Sequence, residues 1–197
     1  MLTFHWLYLL IFLAIPTLSF SVPCEAKVYF APEDALEERL VELIVQEKKF
    51  IYVCIYSLTH RRIVDSLIDA HQRGVIVEVL VDPFSVRNDS LLHRLITDSI
   101  PVYVWDPVSN RRKRSHRSLM HHKFCVFGQG KVWTGSFNFT YEASRKHLED
   151  VVVIESASLS DVYSTQFHLI KRQAGSDFAS YLTTHPKAKK KMKKIAS

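Results

Sequence analysis

Phe50-Ile51-Tyr52-Val53-Cys54-Ile55-Tyr56-Ser57 and Val75-Ile76-Val77-Glu78-Val79-Leu80-Val81 are two almost uninterrupted apolar runs. Runs of this length, rich in β-branched residues, read as strands buried on both faces. Between them Ile63, Leu67 and Ile68 recur at helical spacing, Thr59 stands where an N-cap hydroxyl is expected, and Gly74 closes the segment. Strand, helix and strand in that order form a crossover unit, and layered α/β packing follows from it.

The same alternation continues outward. Leu36, Leu40, Leu43 and Ile44 share one helical face ahead of the first run. Leu91, Leu92, Leu95 and Ile96 predict a short helix before a strand over residues 102–105, and residues 159–181 read as a helix lying over the sheet. The expected fold class is an α/β sandwich, with a mixed, mostly parallel sheet flanked by helices. With 197 residues, 47% hydrophobic and 23% charged, the chain can bury one ordinary core. The expected division is a leader or anchor over residues 1–26, one folded domain over 27–183 and a basic tail over 184–197.

Residues 7–15 are apolar and are followed by Pro16 and by Ser19-Phe20-Ser21, small residues at spacing suited to signal-peptide cleavage. The first reading is a cleaved signal and a secreted or periplasmic protein; the second is a retained membrane anchor. Cys54 and Cys125 fall inside apolar runs and are expected as small buried residues, while Cys24 lies at the cleavage region. No Cys-x-x-Cys pair or His/Cys cluster suggests a metal, and no cofactor is expected.

The net charge of +6 is matched by six lysines alone: Lys187, Lys189, Lys190, Lys191, Lys193 and Lys194. The body is therefore near neutral and the basic character is local. A second cluster, Arg111-Arg112-Lys113-Arg114 with Arg117 beyond it, leads into the segment that carries the chemistry. Both clusters suit a phosphate-rich polymer or an anionic membrane surface.

That segment is Met120-His121-His122-Lys123-Phe124-Cys125-Val126-Phe127, followed by Gly135-Ser136-Phe137-Asn138. Residues two apart on a strand share a face. His121, Lys123, Ser136 and Asn138 would then form one patch, joining a nucleophile or acid to a cation and two neutral hydrogen-bonding groups. Such a patch can grip and attack a phosphodiester. His122 should face away from Lys123, and Trp133 is expected in the core. His60, His71, His93 and His116 are expected at the surface.

With its trailing Gly-Ser-x-Asn, the His-x-Lys pattern resembles the signature of the phospholipase D superfamily. The similarity extends upstream through residues 52–59 and 70–82 and downstream to Glu149, covering about residues 28–155. It is strongest to the single-motif branch of bacterial secreted endonucleases and mitochondrial cardiolipin hydrolase. The family usually has Asp five residues after the lysine, where this chain has Gly128. The tyrosyl-DNA phosphodiesterases also lack that residue, and Gly128-Gln129-Gly130 reads as a tight reversal between two strands.

The resemblance implies a phospholipase D-like sandwich and a metal-independent phosphodiesterase. One histidine attacks phosphorus and another protonates the leaving oxygen. A single motif implies a homodimer in which His121 of each chain meets the other. Lys123 and Asn138 would bind the phosphate oxygens with support from Ser136, and Glu149 would orient His121. Arg111, Arg112, Lys113 and Arg114 would contact substrate phosphates, and the lysines of residues 187–194 an anionic surface. The leading substrate is DNA or RNA cut without base specificity. The alternative is a membrane phospholipid of the cardiolipin or phosphatidylcholine type, and a third reading is an inactive phosphate-binding protein.

Overall fold

The computed structural model describes residues 24–88, 91–106, 118–174 and 176–188. Seven strands form one sheet: β1 (Glu25–Ala31), β2 (Phe50–Ile55), β3 (Ile76–Val81), β4 (Val102–Val104), β5 (Lys123–Phe127), β6 (Lys131–Gly135) and β7 (Glu149–Glu155). Their order across the sheet is β1-β7-β6-β5-β2-β3-β4. The helices are α1 (Leu36–Gln46), α2 (Arg61–Gln72), α3 (Pro83–Asn88), α4 (Leu91–Thr97), α5 (Tyr141–Arg145), α6 (Ala157–Ala174) and α7 (Phe178–Thr184).

The layered α/β architecture is the expected one, but its strand balance is not. Only β2–β3 and β3–β4 pair in parallel, whereas β1–β7, β2–β5, β5–β6 and β6–β7 are antiparallel. Parallel neighbours need a crossover long enough to hold a helix, and the segments carrying α2 and α3–α4 provide it between β2 and β3 and between β3 and β4. The reversal at residues 128–130 is too short for that and forces β5 and β6 antiparallel. β1 lies at the sheet edge and pairs with β7 from Glu25 onward.

One face of the sheet packs Ile51, Val53, Val79, Cys125 and Trp133 against the apolar sides of α1 and α2, including Leu36, Leu40, Ile44, Ile63 and Leu67. The other face packs Cys54, Phe124 and Val126 against Phe167 and Ile170 of α6. Burying each such large side chain contributes roughly 1.5–3 kcal/mol. The expected long C-terminal helix is two helices: α6 ends at Ala174, and Asp177 caps α7 by accepting from the Ser180 amide at 2.7 Å.

Two glycines in the β5–β6 turn have separate roles. Gly130 takes φ 83°, which only glycine adopts without strain. At Gly128 it is space that excludes a side chain: a Cβ would stand 2.6 Å from Lys49 Cβ and 2.9 Å from Phe50 Cδ1.

Thr59 does not cap α2. The N-cap is His60, and the Thr59 and His60 amides both donate to the Phe139 carbonyl at 2.8 Å. Nor is His60 at the surface. It is buried, with Nε2 2.9 Å from Glu37 Oε2, and Arg62 and Arg145 reach the same carboxylate. The apolar residues 7–15 and His116 lie outside the described residues, and no described helix is long and apolar enough to cross a membrane.

Candidate active site

The carboxyl ends of β2, β3 and β4, the start of β5, the end of β6 and the start of β7 all meet at one edge of the sheet. Open α/β sheets commonly bind ligands outside such carboxyl ends. Lys123 is the first residue of β5 and pairs with Ile55. His121 lies just before the strand, where the His122 carbonyl accepts from the Tyr56 amide at 3.0 Å and prolongs the ladder. His121 is exposed and Lys123 is buried.

Lys123 Nζ donates to the His121 carbonyl at 2.8 Å and lies 3.2 and 3.3 Å from His121 Nδ1 and Nε2. An ammonium is only a donor, so a ring nitrogen facing it is best left with its lone pair. Burial pulls the Lys123 pKa down from its ordinary value, and the negative charge of Glu149 pushes back. Burial also lowers the pKa of His122, with Lys123 and His121 acting in the same direction.

Ser136 and Glu149 form a tight pair. Ser136 Oγ donates to Glu149 Oε2 at 2.5 Å and accepts from the Asp150 amide at 3.0 Å, while the Ser136 amide donates to the Asp150 carbonyl. The same contact explains Gly135: a Cβ there would fall 2.1 Å from the Asp150 carbonyl oxygen. Glu149, with only 12% of its side chain exposed, is thus the carboxylate turned into the site, and Asp150 is exposed. Glu149 engages Ser136 here, and its other oxygen lies 3.8 Å from His147 Nδ1.

Asn138 is set beside the end of β2, because the next residue, Phe139, bridges Leu58 and donates its amide to the Ser57 carbonyl. Its Oδ1 is buried without a hydrogen-bond partner among the described residues. A buried amide oxygen left in that state normally awaits one. His121, Lys123, Ser136, Asn138 and Glu149 thus gather at one end of the sheet. Arg111, Arg112, Lys113 and Arg114 lie outside the described residues, as do Lys189, Lys190, Lys191, Lys193 and Lys194.

Gly128 ends far from this patch. It follows the other end of β5, five residues or about 17 Å along an antiparallel strand from Lys123. A carboxylate at that position would not touch His121, Lys123, Asn138 or Glu149.

Sequence reasoning missed the aromatic wall of the site. The Tyr56 ring lies 4.6 Å from that of His121, and Lys123 Nζ stands 5.3 Å from its centroid. Phe84 stacks on Tyr56 at 5.0 Å with an interplanar angle of 10°. The only advance signal was that Tyr56 continues the β2 alternation while Asp82-Pro83-Phe84 follows the end of β3. A cleft of about 640 Å³ on the other sheet face is lined by His122, Phe124, Thr134 and residues of α6. It is lined by none of His121, Lys123, Ser136, Asn138 and Glu149.

Fold and site together define a class: a layered α/β domain with His-x-Lys and Gly-Ser-x-Asn at the carboxyl edge of its parallel strands. Residues 40–171 match the family model described as cardiolipin synthase, PLD-like domain. The chain is 34% identical over 135 residues to a phospholipase D of Rickettsia bellii, covering 68% of this chain and 63% of that protein. It is 27% identical to the mitochondrial cardiolipin hydrolase of Danio rerio over 66% of this chain and 54% of that one. Its fold matches the crystal structure of Nuc, a phospholipase D family member from Salmonella typhimurium, with a TM-score of 0.69 at 24% identity. That match covers 79% of this chain and 99% of Nuc. The chain belongs to the phospholipase D-like family. It spans less than two thirds of the Rickettsia relative's length.

Proposed function

We propose that this protein hydrolyses phosphodiesters through a phosphohistidine at His121, in a site shared by two copies of the chain, with nucleic acid as substrate. The observation that carries the reading is the buried Lys123 ammonium held within 3.3 Å of both ring nitrogens of an exposed histidine. The Ser136–Glu149 pair and the unpaired Asn138 Oδ1 border the same edge.

In the first step a His121 ring nitrogen attacks phosphorus, the bond to the leaving oxygen breaks, and His121 of the second copy gives that oxygen its proton. In the second step water attacks the phosphohistidine, passes its proton to the same acid, and the P–N bond breaks. Lys123 offsets the charge that grows on the nonbridging oxygens, and preorganised groups of this kind are worth most in a partly dry site. Asn138 has an amide group to present to the same oxygens. The Glu149 charge opposes the pull of burial on the Lys123 ammonium, and its carboxylate holds Ser136 in place.

Nucleic acid is favoured by the basic run at residues 111–114 immediately before His121, since backbone phosphate contacts supply most sequence-independent affinity. Phospholipid is the second reading, favoured by the apolar residues 7–15 and the lysine-rich C-terminus, which suit an anionic bilayer. Plasmid DNA and cardiolipin or phosphatidylcholine vesicles, each assayed in excess EDTA, separate the two. Cleavage of DNA with retained activity in EDTA is the expected result. Cleavage of vesicles alone would establish the lipid reading, and loss of all activity restored by Mg²⁺ or Zn²⁺ would overturn the phosphohistidine route.

A further inference from the structure

Phe84 is a large apolar side chain, 37% exposed, on a short helix beside the proposed nucleophile. The structure fixes it with unusual care. Asp82, 1% exposed, accepts the Phe84 amide at 2.7 Å through one carboxylate oxygen and the Met120 amide at 3.1 Å through the other. One buried carboxylate therefore ties the helix that bears Phe84 to the residue preceding His121. Ser85, fully buried, donates to the Tyr56 carbonyl at 2.9 Å and accepts from the Leu58 amide at 3.2 Å. That second link locks α3 onto the loop carrying Tyr56.

The result is a row of rings: His121, then Tyr56 4.6 Å away and tilted by 58°, then Phe84 stacked on Tyr56 at 5.0 Å with an angle of 10°. Among the described residues no other ring lies against Phe84. A core position would bury this side chain, and a loose surface position would not engage two buried polar residues on either side of it. What the arrangement does offer is a partly exposed aromatic ring in a fixed place, backed by Tyr56, whose own ring lies against His121.

We propose that Phe84, backed by Tyr56, is the subsite for the nucleobase next to the scissile phosphate, and that the protein therefore prefers single-stranded nucleic acid. The proposal rests on the nucleic-acid reading above. Every base has a π-face, so stacking on an aromatic platform binds without reading sequence. In a duplex those faces are already covered by neighbouring base pairs, and only a splayed base can lie on the ring.

The test compares Phe84→Ala, Phe84→Leu and Phe84→Trp with the parent protein on a single-stranded oligonucleotide, its duplex, and an oligonucleotide abasic around the cleaved phosphate. The parent should favour the single strand over the duplex. Phe84→Ala and Phe84→Leu should raise KM on the single strand about 5- to 150-fold, the range expected for losing one base–aromatic stack. Phe84→Trp should restore it, and on the abasic strand the gap between parent and variants should shrink. A parent that cuts DNA while Phe84→Ala leaves the single-strand KM unmoved would overturn the subsite and spare the nuclease reading. Leu rescuing as well as Trp would overturn it too, because bulk would then suffice without stacking. A parent inactive on every nucleic acid but active on vesicles would overturn both.

Discussion

Lys123 is a cation kept in a place that resists charge. Burial works against its ammonium form, yet its Nζ is held by the His121 carbonyl and supported by the Glu149 charge. In the proposed reaction the cost of holding it there is recovered when a phosphate arrives, because the same dry surroundings strengthen the ion–phosphoryl contact. Lys123→Ala should therefore lower kcat on a phosphodiester by about 10²–10³-fold, the usual loss when one preorganised stabilising group is removed. His121→Asn should go further, on the order of 10⁴-fold, since it removes the nucleophile itself. Circular dichroism and denaturation should show both variants folded, and more than a few per cent residual turnover in His121→Asn would sink its assignment.

At the scale of elements, the β5–β6 hairpin and the junction of α1, α2 and α5 make separable predictions. Gly128→Asp forces a Cβ to within 2.6 Å of Lys49 Cβ and lies at the far end of β5 from Lys123. It should cost about 1–3 kcal/mol in the denaturation midpoint, as overpacking does, without raising turnover per folded molecule. A rise in turnover would show that the family carboxylate braces the site after all. The junction depends on His60, faced by Glu37, Arg62, Arg145 and the Tyr141 ring. Burial lowers the His60 pKa below its ordinary 6.5; Glu37 opposes the shift, and Arg145 and Arg62 add to it. The unfolded chain then binds the proton more readily, so this contribution to stability is present above pH about 6.5 and is lost as the pH falls. Denaturant titrations at stepped pH should show that loss, and His60→Gln should flatten it. A profile identical in the two proteins would remove His60 as its source.

At the scale of the molecule, one chain supplies a single His-x-Lys patch, and the proposed chemistry needs a nucleophile and an acid. Two copies meeting at His121 supply both. Specific activity should then fall on dilution through the dimer dissociation range, and added His121→Asn chains should suppress the parent by forming mixed dimers. His147 offers a different arrangement, since its Nδ1 is 3.8 Å from Glu149 Oε1 at the same edge of the sheet. Full activity in a dilute monomer, lost in His147→Ala, would place the acid on His147 and leave the second copy unnecessary.

Much of this was legible from local pattern. Apolar runs at residues 50–57 and 75–81 predict β2 and β3 because a strand buried on both faces needs no polar alternation. His121, Lys123, Ser136, Asn138 and Glu149 stand out because the side-chain types a phosphate patch needs recur in a short and recognisable spacing. Other features depended on which segments meet in space. The antiparallel bias of the sheet follows from which strands become neighbours, the burial of His60 from a carboxylate on another helix, and the separation of Gly128 from the site from its place at the far strand end. Tyr56 and Phe84 become a stack beside His121 only when Asp82 and Ser85 draw α3 onto the end of β2. Spacing along a chain predicts which side chains share a strand face or a helix stripe; contacts between distant segments arise from packing, and only the tertiary structure decides them.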